Sequence, residues 1–424
     1  MSGKPKQDGE IPLPTEPTSS ADADARIPAR FIALMALMTS LVALSIDAML
    51  PALGQIAADL DVRDANDRQL VLSMLFLGMV FGQIIYGPVS DAVGRRRPVF
   101  FGTVLFVVGT ALSGLAESYP LMLFGRFIQG VGAAGPRIVI MAIIRDRYQG
   151  PAMARVMSLI MTVFIIIPAL APAMGQAMLW FGSWRLIFAM FAVLALIGLT
   201  WFWIAQPETL PPERRVRVTP RHLWRATCEV MTHPVSLGYT VTAGLVFAAF
   251  LGFLNSAQQI LQEQYSLAEQ FPLYFALLAL SIGASTLTNS MLVRHFSISK
   301  LCHWSLVLGI AMAGSLLAAS LAFAGSPPLW LLMTLLMMLF YVIGILFGNM
   351  NAMAMEPMGH IAGLASAVIA SVATFMSMTI GGLVGALYDG TTIPLAAGYT
   401  ILSVLALCAA TLTERARAGI EEDS

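Results

Sequence analysis

Asp47, Arg126 and Arg137 are charged residues set inside long apolar runs, and they are the first chemistry the sequence offers. Asp47 is the one carboxylate in any such run. Moving an unpaired charge from water into hydrocarbon costs on the order of several kcal/mol, so a carboxylate retained there marks a functional site. Burial favours the neutral acid, whereas a neighbouring guanidinium favours the anion. An Asp47–Arg126 pair that forms and breaks would therefore act as a proton switch, and comparable depth in their helices makes such a pair expected. Arg126 and Arg137 stand about three turns and ~16 Å apart on one helix face. That face must look into protein or a watery cavity.

A second concentration of charge is GPVSDAVGRRRP, Gly87 to Pro98, where Asp91 precedes Arg95, Arg96 and Arg97 between Gly87 and the residues after Gly94. A short basic turn between two apolar runs anchors one side of a membrane. Its acid can also meet the N-terminus of a helix, the positive end of the helix dipole.

The elements that must position these residues follow from composition. Hydrophobic residues make up 58% of the 424 and charged residues 11%, against about 25% charged in soluble domains. The chain therefore reads as an all-α integral membrane protein. A membrane-crossing helix needs about 20 apolar residues, and spans are predicted at 31–53, 69–89, 98–116, 121–144, 156–179, 186–205, 236–259, 271–293, 301–323, 329–350, 364–387 and 393–413. Residues 1–29 are polar and proline-rich, which predicts a disordered tail. A six-helix bundle over 30–205, a basic linker over 206–235, a second bundle over 236–413 and a short tail over 414–424 complete the division.

Topology follows from the 24 Lys and Arg. With the N-terminus inside, only Arg63, Arg68 and Arg185 fall outside and only Arg126 and Arg137 fall within spans. All the others lie inside, so both termini are expected in the cytoplasm.

Several function classes are excluded or disfavoured. The zero formal net charge gives no global field for nucleic acid. Cys228, Cys302 and Cys408 are too scattered for a disulfide framework or a metal site, and the five histidines all fall in or beside inside loops. The lysines, Lys4, Lys6 and Lys300, follow no GxxxxG run, so no phosphate-cradling loop is present. No paired carboxylates or Ser-His grouping occur among the spans, so neither an enzyme nor a cofactor is expected.

These motifs resemble the major facilitator superfamily. GPVSDAVGRRRP is similar to its loop motif GxxxDxxGRR, and RFIQGVGAAGPR is similar to its fourth-helix motif, here Arg126, Gln129, Gly130, Gly132, Ala133 and Ala134. SIDAMLPAL, RDRY at 145–148, SWRLIF at 183–188 and PETL at 207–210 resemble the bicyclomycin-resistance (Bcr/CflA-type) branch of twelve-span drug:proton antiporters. Two stretches depart from the pattern. The fifth-helix motif, with Pro168 and Pro172, reads Ala171-Pro172-Ala173-Met174-Gly175-Gln176, so one glycine of each expected pair is replaced; VRHFSISK at 293–300 lacks the aspartate and glycine of a second loop motif.

The resemblance implies two six-helix bundles that alternate access, a monomer in the bacterial inner membrane, and exchange of small amphipathic drugs for protons. It implies proton coupling by Asp47 and Arg126, and a cytoplasmic gate built from Gly87, Asp91, Gly94, Arg95 and Arg96 against the eleventh span. That gate should be stronger on the N-terminal half. It also implies a central cavity between spans 1, 4, 7 and 10, where Asn255, Gln258, Gln259, Asn349 and Asn351 are the polar candidates. Some of the 26 methionines would suit varied ligands there. Arg137 reads equally as a cavity residue or an anchor, and Glu356 as an interfacial charge or a second titrating group. Export of one metabolite, transport without proton coupling, and a receptor role remain open alternatives.

Overall fold

The computed structural model describes residues 28–216 and 219–423. The predicted N-terminal tail, apart from its last two residues, lies outside the described residues, as does Arg217. Fourteen α-helices are described. The first half contains α1 (Ala29–Asp47), the short α2 (Leu53–Asp59), α3 (Leu70–Val93), α4 (Arg96–Gly114), α5 (Tyr119–Arg147), α6 (Gly150–Phe181) and α7 (Arg185–Ala205). After α8 (Pro220–Thr232) come α9 (Pro234–Gln258), α10 (Phe271–Leu292), α11 (Ile298–Ala322), α12 (Leu329–Met355), α13 (Ala362–Ala386) and α14 (Ile393–Asp423).

Among the described residues, eleven helical runs are long and apolar enough to cross a membrane, and the one of 58 residues, Leu329–Ala386, is two helices joined by a tight turn at Glu356–Ile361. Twelve spanning helices therefore alternate in direction, six before α8 and six after it. The chain is a multi-pass membrane protein. Large apolar side chains such as Leu115, Phe181 and Ile204 point outward, where lipid rather than protein is their natural cover.

Three boundaries differ from the predicted ones. The first span continues as a helical rod to Asp59, because the chain resumes helix after Pro51 instead of leaving the membrane. The basic linker over 206–235 is partly helical: α8 forms there, started by Thr219, whose hydroxyl accepts from the His222 N–H at 3.4 Å. Residues 414–423 are not a separate tail but the last turns of α14.

The two halves meet along α3 against α13 and α6 against α10. Both described ends of the chain, Pro28 and Asp423, lie on one face, called the terminal face below. The turns after α1–α2, α4, α6, α9, α11 and α13 lie on the opposite, distal face.

Candidate functional site

Asp47 ends the regular part of α1, and the reason lies four residues further along the chain. Pro51 has no N–H to donate to the carbonyl of Asp47, so the α-helical ladder fails there. The backbone tightens into a 3₁₀ turn at Leu50–Ala52 before α2 resumes. The Asp47 side chain is only 6% exposed, and among the described residues it makes no ion pair. Gly175 of α6 packs against this break: a methyl group there would strike the carbonyl oxygen of Ala48. The glycine retained in the fifth-helix motif thus permits the backbone of α6 to touch the weakened turn beside Asp47. Both prolines of that motif, Pro168 and Pro172, are carried within the continuous helix α6.

Arg126 is fully buried and does not pair with Asp47, contrary to expectation. Its guanidinium is taken up by other acceptors: Nε donates to the Val71 carbonyl at 3.0 Å, one terminal nitrogen to Gln129 Oε1 at 2.6 Å, and the other to the Ser45 carbonyl at 2.8 Å. Gln129 is fixed in turn by donating to Thr110 Oγ1 at 2.8 Å. The Ser45 carbonyl of α1 and the Val71 carbonyl of α3 both meet this fork-shaped donor, so Arg126 ties α1, α3 and α5 together. Gly130 makes the arrangement possible, since a side chain there would collide with the Leu75 carbonyl of α3.

On the terminal face, Gly94 closes α3 with φ +96°, a backbone region that favours glycine. A methyl there would also lie 2.5 Å from Glu208 Oε2. The space admits the Glu208 carboxylate, which accepts from the N–H groups of Arg95 (2.8 Å), Arg96 (3.1 Å), Thr209 and Leu210 (both 3.0 Å). Partial burial pushes the Glu208 pKa up, but these four N–H groups outweigh it and hold the carboxyl below the usual range. Arg95 bonds to Asp91, to Ser90 Oγ at 2.8 Å and to Asp146 at 2.9 Å. Arg96 donates to the Trp203 carbonyl and lies 4.0 Å over the Trp203 ring.

The three terminal-face motifs are therefore one network: Asp146 comes from RDRY, Glu208 from PETL. Asp91 also lies beside Gly363 in the first turn of α13, 3.8 Å from where a Gly363 methyl would sit. Gly87 is not tight here, because a methyl would meet Ala367 at an ordinary 3.8 Å. In the second half the corresponding region is centred on Glu414, which accepts from Tyr239 and, at 2.5 Å, from Ser299.

A cavity of about 520 Å³ lies between the halves toward the terminal face, with Arg137, Gln83, Phe247 and Asn351 among its walls. The other polar residues expected to line it are elsewhere. Gln258 accepts from Arg68 at 2.9 Å, and Gln259 donates to Asn66 at 2.8 Å, both at the distal end where the wide-turned segment Gln259–Gln264 begins. Asn255 is buried and packs beside Gly385. Asn349 exchanges amide hydrogen bonds with Asn289 of α10 at 2.8 and 3.3 Å. Glu356 pairs with Arg417 at 2.8 Å at the protein surface.

The residues missed from sequence are mostly loop charges. Arg68 pairs with Glu263 at 2.5 Å, and the Asn66 amide donates to the carbonyls of Ala386 (2.9 Å) and Tyr388 (3.0 Å). These contacts join the halves at the distal face. The available signal was an arginine on a side expected to carry only Arg63, Arg68 and Arg185 as positive charges. Trp184 and Arg185 of SWRLIF both reach Asp59 at the end of α2, at 2.8 and 3.7 Å.

A family model described as Major Facilitator Superfamily matches residues 35–386. An uncharacterized MFS-type transporter, YdgK of Bacillus subtilis, is 26% identical over 377 residues, 88% of this chain and 92% of its own. A bicyclomycin resistance protein homolog of Haemophilus influenzae is 26% identical over 392 residues, 89% and 94% of the two chains. The multidrug resistance protein MdtL of Salmonella typhimurium is 30% identical over 263 residues, 61% of this chain and 65% of its own.

Among solved structures, the Escherichia coli xylose transporter XylE in a partially occluded inward open conformation superposes with TM-score 0.68 at 15% identity, over 89% of this chain and 96% of that one. The human organic anion transporter MFSD10 gives 0.66 at 15%, over 91% and 99%. At those identities the likeness is one of fold. Twelve spans in two six-helix halves, the loop and fourth-helix motifs in their structural places and a family match over most of the length make this chain a member of the major facilitator superfamily of transporters.

Proposed function

We propose that the chain is a proton-driven exporter of small drug-like molecules in a bacterial inner membrane, acting as a monomer with both termini in the cytoplasm. The orientation rests on the distribution of Lys and Arg, which places the terminal face inside. The cavity then faces the cytoplasm, and the contacts of Asn66 and Arg68 close the outer side. Drug export is supported by the bicyclomycin-resistance and multidrug-resistance names of the bacterial relatives.

The observation that carries proton coupling is Asp47: a buried carboxylate with no cationic partner among the described residues, placed at the Pro51 break of α1. Burying a lone carboxylate is costly, and a bound proton removes that cost. A flexing helix break can alternately present the acid to the outside and to the cavity while the halves rock. Arg126 contributes by gripping the Ser45 carbonyl, which holds the break in place.

Purified protein in liposomes, given an imposed pH gradient and a drug panel, tests this reading. Wild type should accumulate drug against its gradient, and Asp47→Asn should retain binding but lose pH-driven transport. Full pH-driven transport by Asp47→Asn would remove Asp47 from the coupling step.

A further inference from the structure

The cavity carries an asymmetry of charge that the sequence motifs do not address. Four charged side chains line it: Asp91, Arg95, Arg137 and Arg145. The acid is already neutralised by Arg95, which Asp146 also engages. Arg137 and Arg145 have no acidic partner among the described residues, and Arg137 is mostly buried in the wall contributed by α5. A guanidinium partly buried in this wall lacks a countercharge, and an anion entering the cavity would supply one together with acceptors for its donors.

The remaining walls define the rest of such a ligand. Phe247 stands 6.4 Å edge-on from Phe76 and 5.3 Å from Phe347, forming an aromatic wall across the two halves. Met141, Met153, Met157 and Met161 supply the opposite, deformable side from α5 and α6. Rings favour planar aromatic bodies, and methionine accommodates varied shapes.

We infer that this cavity selects amphipathic aromatic anions, with Arg137 holding the anionic group and the Phe247 wall stacking the apolar body. This deepens the exporter reading by naming its substrate class, and it rests on that reading only for the direction of transport.

Equilibrium binding to the full chain in lipid nanodiscs, with no gradient, separates the two. The probes are 2-naphthalenesulfonate, its neutral sulfonamide and the 2-naphthylmethylammonium cation. Wild type should bind the sulfonate about tenfold or more tighter than the amide and the cation weakest. Arg137→Gln should abolish that preference while leaving amide affinity within about twofold, and Arg137→Lys should restore part of it. Because wild-type selectivity is itself diagnostic, a variant that fails to fold does not blunt the test. Equal binding of the three probes, preference for the cation, or no binding of any would overturn the inference. Anion selectivity without pH-driven transport would instead overturn the exporter reading and leave this one standing.

Discussion

Arg126 donates to the backbone carbonyl of Ser45 at 2.8 Å, two residues before Asp47, and leaves the Asp47 carboxylate alone. The intramembrane arginine is thus a clamp on the helix that bears the acid. A clamp needs two well-separated donor directions, which guanidinium has and ammonium lacks. Arg126→Lys should therefore behave nearly as badly as Arg126→Ala, each costing about 2–4 kcal/mol through unmet buried carbonyls. Gln129→Ala, which loosens the fork without removing it, should cost about 1 kcal/mol. Thermal unfolding of the purified variants in detergent checks the order; a lysine variant as stable as wild type would contradict the clamp.

Gly175 has the same dependence on backbone from the other side. A methyl at this position runs into the Ala48 carbonyl, and neither helix can yield without moving the Pro51 break. Gly175→Ala should cost about 1–3 kcal/mol by overpacking, whereas Gly314→Ala, which meets nothing within 4 Å, should be neutral or slightly stabilising. Melting temperatures of the two alanine variants measured side by side decide the matter.

The parts legible in the sequence were those written in composition and local pattern. Twelve apolar runs gave the twelve spans, and the basic loop identified Arg95 as important. What the pattern could not carry was partnership across distance. Arg126 instead meets backbone carbonyls of α1 and α3, which no residue type announces. Gln258 and Gln259 were placed in the cavity because they are polar and on the seventh span. Their positions at the last turn put them instead opposite Asn66 and Arg68, residues almost 200 positions away. RDRY and PETL were recognised as strings, and their roles as the partners of Arg95 became visible only when Asp146 and Glu208 met the same loop.

That loop should respond to acid. Glu208 is held below its ordinary pKa by the N–H groups of Leu210, Arg95, Arg96 and Thr209, against the upward push of burial. A depressed carboxyl contributes stability that is complete above its unfolded pKa, about 4.3. That contribution is lost as pH falls through the lower folded value. Wild-type unfolding temperature should therefore decline as the pH drops below about 4, and Glu208→Gln should remove part of that decline while being less stable at pH 7. Melting curves from pH 7 to pH 3 for both proteins provide the measurement, and identical pH profiles would rule out a role for Glu208 in the decline.

The distal contacts make a prediction about conformation rather than stability. Arg68, largely buried, ties the first half to Glu263 and Gln258, while Asn66 caps carbonyls at the end of α13. All of these contacts run between halves, so they exist only while the distal side is shut. A state with the distal side open loses them, and each lost charge-assisted bond shifts the balance between states. Glu263→Gln removes the ionic component but keeps the shape, and should move the equilibrium toward the distal-open state by on the order of 1 kcal/mol, about fivefold in population. Spin labels at Glu117 and Glu269, both exposed on the distal face of opposite halves, would report it as growth of a longer-distance component. Asn66→Ala should act in the same direction, and the effect of Glu263→Gln alone should shrink at high salt, because the Glu263 end of the pair is half exposed.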